Sequence, residues 1–307
     1  MSGFTVTAGV SFSGGFTFTE MPAAENTAAW FGGGFAPNSA RVTVDRITYA
    51  TDTATAVERG PLSEGRYNLA AAGNTTDGWF GGGNPGPNSS VDRITYATDT
   101  ATASVRGPLS LARQYLAAAG NSTDAWFGGG NPGPRSTVDR ITYTTDTATA
   151  SVRGPLSLAR YMLAAVGNTT DGWWGGGYNI STVDRITYAT DTATASVRGP
   201  LSQGRMRPGA AGNTYDGWFA GGHFPNFSTV DRITYATDTA TASVRGPLSQ
   251  ARAGLAAAGN TTDGWFAAGE VYSIVERITY ATDTAATSTR GPLSVARYGL
   301  GAAGGLQ

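Results

Sequence analysis

Chemistry at neutral pH needs side chains that exchange protons, attack carbonyls or hold metals. This 307-residue chain has few of them outside a repeating pattern. It has no cysteine, so thiolate chemistry, disulfides and cysteine metal sites are excluded. Its one histidine, His223, builds neither a triad nor a metal centre alone, and reads as a loop residue in contact range of a partner. There is no lysine, so all 21 basic residues are arginine and Schiff-base chemistry is absent. Glycoside hydrolysis needs two carboxylates at one site. Most acids here recur with the repeat, and the exceptions, Glu20, Glu25, Glu58, Glu64 and Glu270, are scattered. Triple glycines do not cradle phosphate unless a helix follows, and none is expected. The residues therefore predict no enzyme, no cofactor and no metal.

Charge and hydropathy narrow the partners. Net charge is −1 with both signs spread evenly, unlike the clustered basic face that binds nucleic acid. No apolar run approaches the ~18 residues of a membrane span, and no basic segment followed by an apolar stretch marks an export signal. Neither nucleic-acid binding nor membrane insertion is expected.

The elements that position these side chains are set by repetition. Val-Asp-Arg-Ile-Thr-Tyr recurs nearly unchanged, its acid at Asp45, Asp92, Asp139, Asp184, Asp231 and Glu276, with spacings of 47, 47, 45, 47 and 45 residues. Periods of this length built from strand-like segments indicate a propeller or a stacked array. In residues 113–153, Gln114–Gly120 reads as a small-residue first strand and Asn121–Asp124 as a turn. Ala125–Gly130 reads as an aromatic second strand ending in glycines. After a Pro/Gly loop, Val138–Tyr143 alternates apolar and polar residues as a half-buried strand does. Thr145–Thr147 is a tight turn, Ala148–Val152 a polar outer strand, and Gly154-Pro155 stops it. Four short antiparallel strands make one propeller blade. The bulky residues, Trp126, Phe127, Ile141 and Tyr143, lie on the middle strands, where blades stack. Three arginines per copy, such as Arg140, Arg153 and Arg160, with Asp139, Asp146 and Asp171, predict blade-to-blade ion pairs and turn hydrogen bonds.

The copies do not start and stop at a blade boundary. A first strand without a second ends the chain, and a second strand without a first follows the N-terminal segment. The expected fold is all-β: a six-bladed propeller over 23–307, sealed by 297–304 pairing beside 28–34. Residues 1–22 form a separate segment. There Phe4, Val6, Val10, Phe12, Phe16 and Phe18 alternate with polar residues about Gly14-Gly15, which predicts a hairpin. A lone hairpin is marginal in water, so its phenylalanines need a surface. The favoured reading is an assembly anchor, by self-association or strand addition to another protein.

These motifs resemble the kelch repeat. Gly33-Gly34, Gly82-Gly83, Gly129-Gly130, Gly176-Gly177 and Gly221-Gly222 match its glycine pair, the Val-x-x-Ile-x-Tyr strand its tyrosine strand, and Pro-Leu-Ser-x-x-Arg its closing arginine. The last copy departs, with Ala267-Ala268-Gly269, and the fourth-strand tryptophan is absent, with Val105, Val152, Val197 and Val244 nearby. A kelch-type copper oxidase would need histidines and a modified cysteine. Thr169–Trp173 is similar to a sialidase Asp-box, but its spacing is wrong and it reads as a turn. Near-identical repeats behind a Gly/Thr/Phe-rich N-terminal segment also resemble virion proteins of tailed phages, particularly of marine and cyanobacterial hosts. That resemblance implies a non-enzymatic tail-fibre, tail-tip or head-decoration protein in the phage particle, contacting other virion proteins or the host surface. The alternative is a bacterial cell-surface or secreted module that binds carbohydrate or protein.

Function is expected where the copies differ. Length varies in one loop, between the triple glycine and the Val-Asp-Arg strand: 35–43, 84–90, 131–137, 178–182, 223–229 and 270–274. A second variable spot follows Ser-x-x-Arg. In a four-stranded antiparallel blade both regions emerge on the same face. The candidate ligand or partner face is therefore Tyr67, Tyr115, Arg135, Tyr161, Tyr178, Asn179, Arg207, His223, Phe224, Phe227, Tyr272 and Tyr298. Aromatic and amide side chains suit sugars or a protein partner; the competing reading is loop drift.

Overall fold

The alternating Val-x-x-Ile-x-Tyr segment becomes the third strand of a four-stranded antiparallel sheet in each of six copies, and the six sheets form a propeller. The structure, a computed structural model, describes residues 27–304. The proposed N-terminal anchor (Phe4, Val6, Val10, Phe12, Phe16, Phe18) lies outside the described residues. Blade 3 is representative: Ala117–Gly120, Asp124–Gly128, Val138–Thr142 and Ser151–Arg153. Blade 1 is assembled from both ends of the described chain. Gly301–Ala303 pairs with Ala28–Gly32 in the register Trp30↔Ala303, Phe31↔Ala302, Gly32↔Gly301. Every edge that a broken ring would expose is thereby paired.

The strands are shorter than expected at two places. The innermost strand begins at Ala117 rather than Gln114, because Tyr115 has φ 57° and cannot continue a strand. The outer strand begins at Ser151, because the Ala150 N–H donates to the Pro108 carbonyl at the blade 2–3 junction instead of to its own sheet, 2.9 Å. Tyr143 also leaves the third strand and opens a 3-10 turn, Tyr143–Thr145. This swings its ring onto Trp79 of blade 2, stacked with centroids 3.8 Å apart.

Blade stacking supplies the core. Between blades 3 and 4, Trp126, Leu156, Leu163, Trp174, Ile186 and Tyr188 are all buried. Each such side chain contributes roughly 1.5–3 kcal/mol on burial. A polar clamp accompanies each stack. Trp126 Nε1 donates to Asp191 Oδ2 at 2.8 Å, and Arg140 and Arg153 approach the same oxygen at 3.1 and 3.5 Å. At the closing junction, Trp265 Nε1 donates to Asp52 at 2.9 Å and its ring stacks on Tyr49. Asp146 makes the same clamp with Trp79, Arg93 and Arg106. These ion pairs cross between blades, as expected.

The third arginine of each repeat corrects that expectation. Arg160 pairs with Asp184 at 2.9 Å, and Arg113 with Asp139 at 2.8 Å, within one blade. Arg113 also donates to the carbonyls of Gly129, Thr137 and Phe127. A buried group that ties an acid to three carbonyls needs the forked donors of a guanidinium; an ammonium could not reach them all. Asp171 serves its turn: its N–H donates to Asn168 Oδ1, and its carboxylate accepts from Thr170 and Thr187.

Candidate functional site: the channel mouth and its rim

The innermost strands are built almost wholly of Ala and Gly because they converge on the axis; blade 4, with Leu163 and Val166, is the exception. The six strands line a narrow central cavity of about 70 Å³, bounded by residues such as Ala71, Ala118, Ala165, Ala210, Ala257 and Ala302. At one end of this channel the chain enters each inner strand through the second variable spot. Leu69, Leu116, Leu163, Pro208, Leu255 and Leu300 form an apolar collar there.

Above the collar lies a ring that no motif search would show. The residue two positions after each buried arginine is left-handed in all six blades: Asn68 (φ 56°), Tyr115 (57°), Met162 (63°), Arg207 (57°), Gly254 (74°) and Gly299 (67°). Each donates its N–H to the carbonyl of the preceding one. Tyr115 donates to Asn68 at 2.8 Å, Met162 to Tyr115 at 2.9 Å, Arg207 to Met162 at 2.7 Å and Gly254 to Arg207 at 2.9 Å. Gly299 donates to Gly254 at 3.0 Å, and Asn68 to Gly299 at 2.5 Å, which closes the circle. Six backbone hydrogen bonds thus seal the mouth from blade to blade. The left-handed conformation is free for glycine and tolerable for asparagine, but costs roughly 1–2 kcal/mol for other side chains. Tyr115, Met162 and Arg207 carry that cost where glycine demonstrably serves in two blades.

The length-variable loop packs beside this ring. The glycine pair, Gly129 (φ 73°) and Gly130 (φ 118°), reverses the chain. The loop then returns, so that the Arg135 carbonyl accepts the N–H of buried Arg160 at 2.9 Å. In the last copy Ala268 takes the first of these positions at φ 63°. Bridges join the two variable regions directly: Tyr67 with Asn84, Gln114 with Asn131, Met206 with His223, and Phe35 with Tyr298. The longest loop folds into a small hairpin of its own, Phe35–Ala36 with Ser39–Ala40. Both variable regions do share one face.

The structure sorts the expected residues into groups. Tyr67 and Tyr298 cluster with Phe35, centroids 4.9 to 6.4 Å apart. Tyr115, Tyr161 and Tyr178 form a second chain of rings at 6.3 and 5.7 Å. Arg207 reaches over the Tyr115 ring, 4.8 Å from its centroid, and donates through Nη2 to its hydroxyl at 2.7 Å. Partial burial raises the Tyr298 pKa, and the Arg207 charge opposes that rise. His223 Nδ1 meets Asn226 Oδ1, and Asn226 in turn donates to Glu270, a polar chain along the rim. Phe224, Tyr178 and Asn179 are exposed, and Arg135 is an exposed rim residue whose Nε donates to the Pro132 carbonyl.

Two expected residues are half-buried and tied to the buried arginines. Phe227 lies against the guanidinium of Arg205, 5.7 Å away, and the Tyr272 carbonyl accepts from the Arg297 N–H. Asn68, Met162 and Phe35 belong to the face and were missed. For Asn68 and Met162 a signal was present: one aligned position reads Asn, Tyr, Met, Arg, Gly, Gly, and glycine mixed with unrelated types marks a left-handed residue. Among the described residues, no group of three or more His, Asp or Glu is placed to hold a metal ion. No family model matches the chain, and no curated protein matches its sequence.

Proposed function

We propose that the protein is a non-enzymatic structural component of a tailed-phage virion, a kelch-like propeller in a tail fibre, tail tip or head decoration, and that its variable face binds glycans on the host surface. One observation carries the recognition face. The two segments that vary among otherwise repeated copies meet around the channel mouth and bring two aromatic clusters with them. The opposite face varies less: its Thr-Asp-Thr turn is identical in all six copies, and its Asn-Thr-Thr-Asp turn departs by single residues, as at Ser122 and Tyr215. Stiff aromatic rings offer large contact area at low entropic cost. The rigid ring of inter-blade clamps holds them without reorganisation on binding. The virion assignment rests on the style of the repeats and of the N-terminal segment.

The test is binding of the fluorescently labelled full chain to intact bacterial envelopes and to immobilised surface polysaccharides. Tyr161→Ala combined with Tyr178→Ala is expected to lower binding at least about tenfold, since each aromatic contact is of hot-spot size. Tyr215→Ala on the opposite face, where Tyr215 is 73% exposed, is expected to leave it unchanged. Equal binding by both variants overturns the recognition face. Peptides of the chain are expected in density-purified phage particles; recovery from cell envelopes alone overturns the virion assignment.

A further inference from the structure

The perimeter of the disc is nearly free of charge, and four blades achieve this identically. Among the described residues only Glu58, Glu64 and Arg135 are exposed charged side chains. The perimeter is formed by the outermost strand of each sheet, which has no neighbour on its far side. In blades 2 to 5 that strand is Ser-Val-Arg, and its valine stands in the open. Val105, Val152, Val197 and Val244 are between 59% and 62% exposed. The arginine is engaged, since Arg153 approaches Asp191 at 3.5 Å. The eleven residues Thr-Ala-Thr-Ala-Ser-Val-Arg-Gly-Pro-Leu-Ser are identical at 100–110, 147–157, 192–202 and 239–249. Folding accounts for the buried Ala, Gly and Leu and for the clamped Arg. It does not account for a valine in water on an unpaired strand edge, which is a liability for a solitary molecule. The two blades beside the ring closure differ. In the same register, opposite Asp45 and Glu276, stand Glu58 in blade 1 and Thr289 in blade 6.

We propose that these outer edges join copies of this chain side by side, each edge pairing antiparallel with the outer edge of a second copy. The edge fits its own kind in length, charge and direction. Its free stretch is three residues long. Before it the Ala150 N–H donates to the Pro108 carbonyl at 2.9 Å, and after it the Gly154 N–H donates to the Asp191 carbonyl at 2.8 Å. A strand of the same three residues matches that stretch. Two such edges meet with no like charges opposed, whereas two edges bearing Glu58 would repel. Identical strands complement each other about a two-fold axis, which sets them antiparallel and brings valine near valine. The exposed Thr147, Ala148 and Thr149 beside the strand are small and permit close approach. One such contact falls short of the ~1,000 Å² of a stable interface, so two copies in dilute solution are weakly held. Four edges on each disc add up where copies are crowded. The inference stands apart from the recognition face, which edge-to-edge contact leaves open.

The experiment is sedimentation velocity of the full chain over a rising concentration series. Beside it runs a variant combining Val105→Glu, Val152→Glu, Val197→Glu and Val244→Glu. The parent is expected to associate further as its concentration rises. The variant is expected to need at least about tenfold more protein for the same degree of association. Its melting curve should stay near that of the parent, because glutamate already occupies this position in blade 1. Residues 1–26 are unaltered in the variant, so an oligomer that they hold persists in both forms and is not mistaken for edge pairing. A second readout uses the absence of cysteine from the chain. Under mild oxidation Val152→Cys is expected to form disulfide-linked dimers several-fold faster than Tyr215→Cys, whose site on the opposite face is 73% exposed. No further association of the parent, unchanged association in the four-site variant, or equal cross-linking by the two cysteine variants overturns the proposal. If the four-site variant fails to fold, the two cysteine variants decide.

Discussion

At the scale of the residue, the protein assigns one guanidinium to each kind of work. Arg160, Arg140 and Arg153 share a repeat but not a role: the first ties Asp184 to the Trp174 carbonyl within blade 4, whereas the others reach from blade 3 to clamp Asp191 of blade 4. The intrablade pair is fully buried, so removing one partner strands the other in low dielectric. Arg160→Met is expected to destabilise the fold by about 3–5 kcal/mol, read from chemical denaturation. A shift below about 1 kcal/mol would show that water reaches Asp184. Trp126→Phe keeps an aromatic ring against Tyr188 but loses the indole donor to Asp191 and some buried ring volume. Its expected cost is smaller, about 1–2 kcal/mol, because Arg140 and Arg153 remain to satisfy that carboxylate. The order of the two effects, seen in one denaturant series, checks whether the buried intrablade pair outweighs the clamp.

At the scale of the element, the spacing between blades is set by backbone contact. A Cβ on Gly154 would stand 1.9 Å from the Ala193 carbonyl oxygen of the following blade, and Gly107, Gly199 and Gly246 are placed alike. No side-chain rotation relieves a clash with backbone. Gly154→Ala is therefore expected to cost more than the usual overpacking range of about 1–3 kcal/mol and to broaden the unfolding transition; thermal denaturation followed by tryptophan fluorescence checks it. The expected strands were right in number and order and too long at their ends. Gln114 to Leu116 alternate plausibly as a strand, but Tyr115 is left-handed because its N–H and carbonyl belong to the ring of six around the mouth, a constraint from five other blades. The variable loops were identifiable by comparing copies, and so was their common face, since strand antiparallelism decides it. Which members of that face are free was not legible: Phe227 looks like a loop aromatic until Arg205 is seen beneath it.

At the scale of the whole molecule, six tyrosines, Tyr49, Tyr96, Tyr143, Tyr188, Tyr235 and Tyr280, are held between blades, and burial raises the pKa of each. A phenol that stays protonated when folded but ionises when unfolded makes the folded state bind more protons in alkali. Stability from this source is intact below the ordinary tyrosine pKa of about 10 and is lost as pH rises above it. With six linked sites around a ring, alkaline unfolding is expected to be steep. Tyrosinate absorbance from these residues should appear together with loss of the sheet signal by circular dichroism. Gradual ionisation with the fold intact would show that the blades part locally. The described residues close into a complete ring without residues 1–26. Native mass spectrometry of the full chain beside a form starting at Ala24 is thus expected to show a defined oligomer that reverts to monomer on truncation. A monomer in both forms would remove the N-terminal segment as a self-association anchor.

The sequence alone determined the number of blades, the strand order, the ring closure and the face on which variation gathers. Each follows from periodicity and from the alternation of buried and exposed positions, which are properties of one chain read along its length. Only the tertiary structure decided which arginine pairs within a blade and which across, and that six residues some 45 to 47 positions apart join in a circle of hydrogen bonds. It also decided that Arg207 reaches across that circle to Tyr115. Those facts depend on where the axis of the ring lies, and no single repeat carries the axis: it exists only once the last strand has met the first.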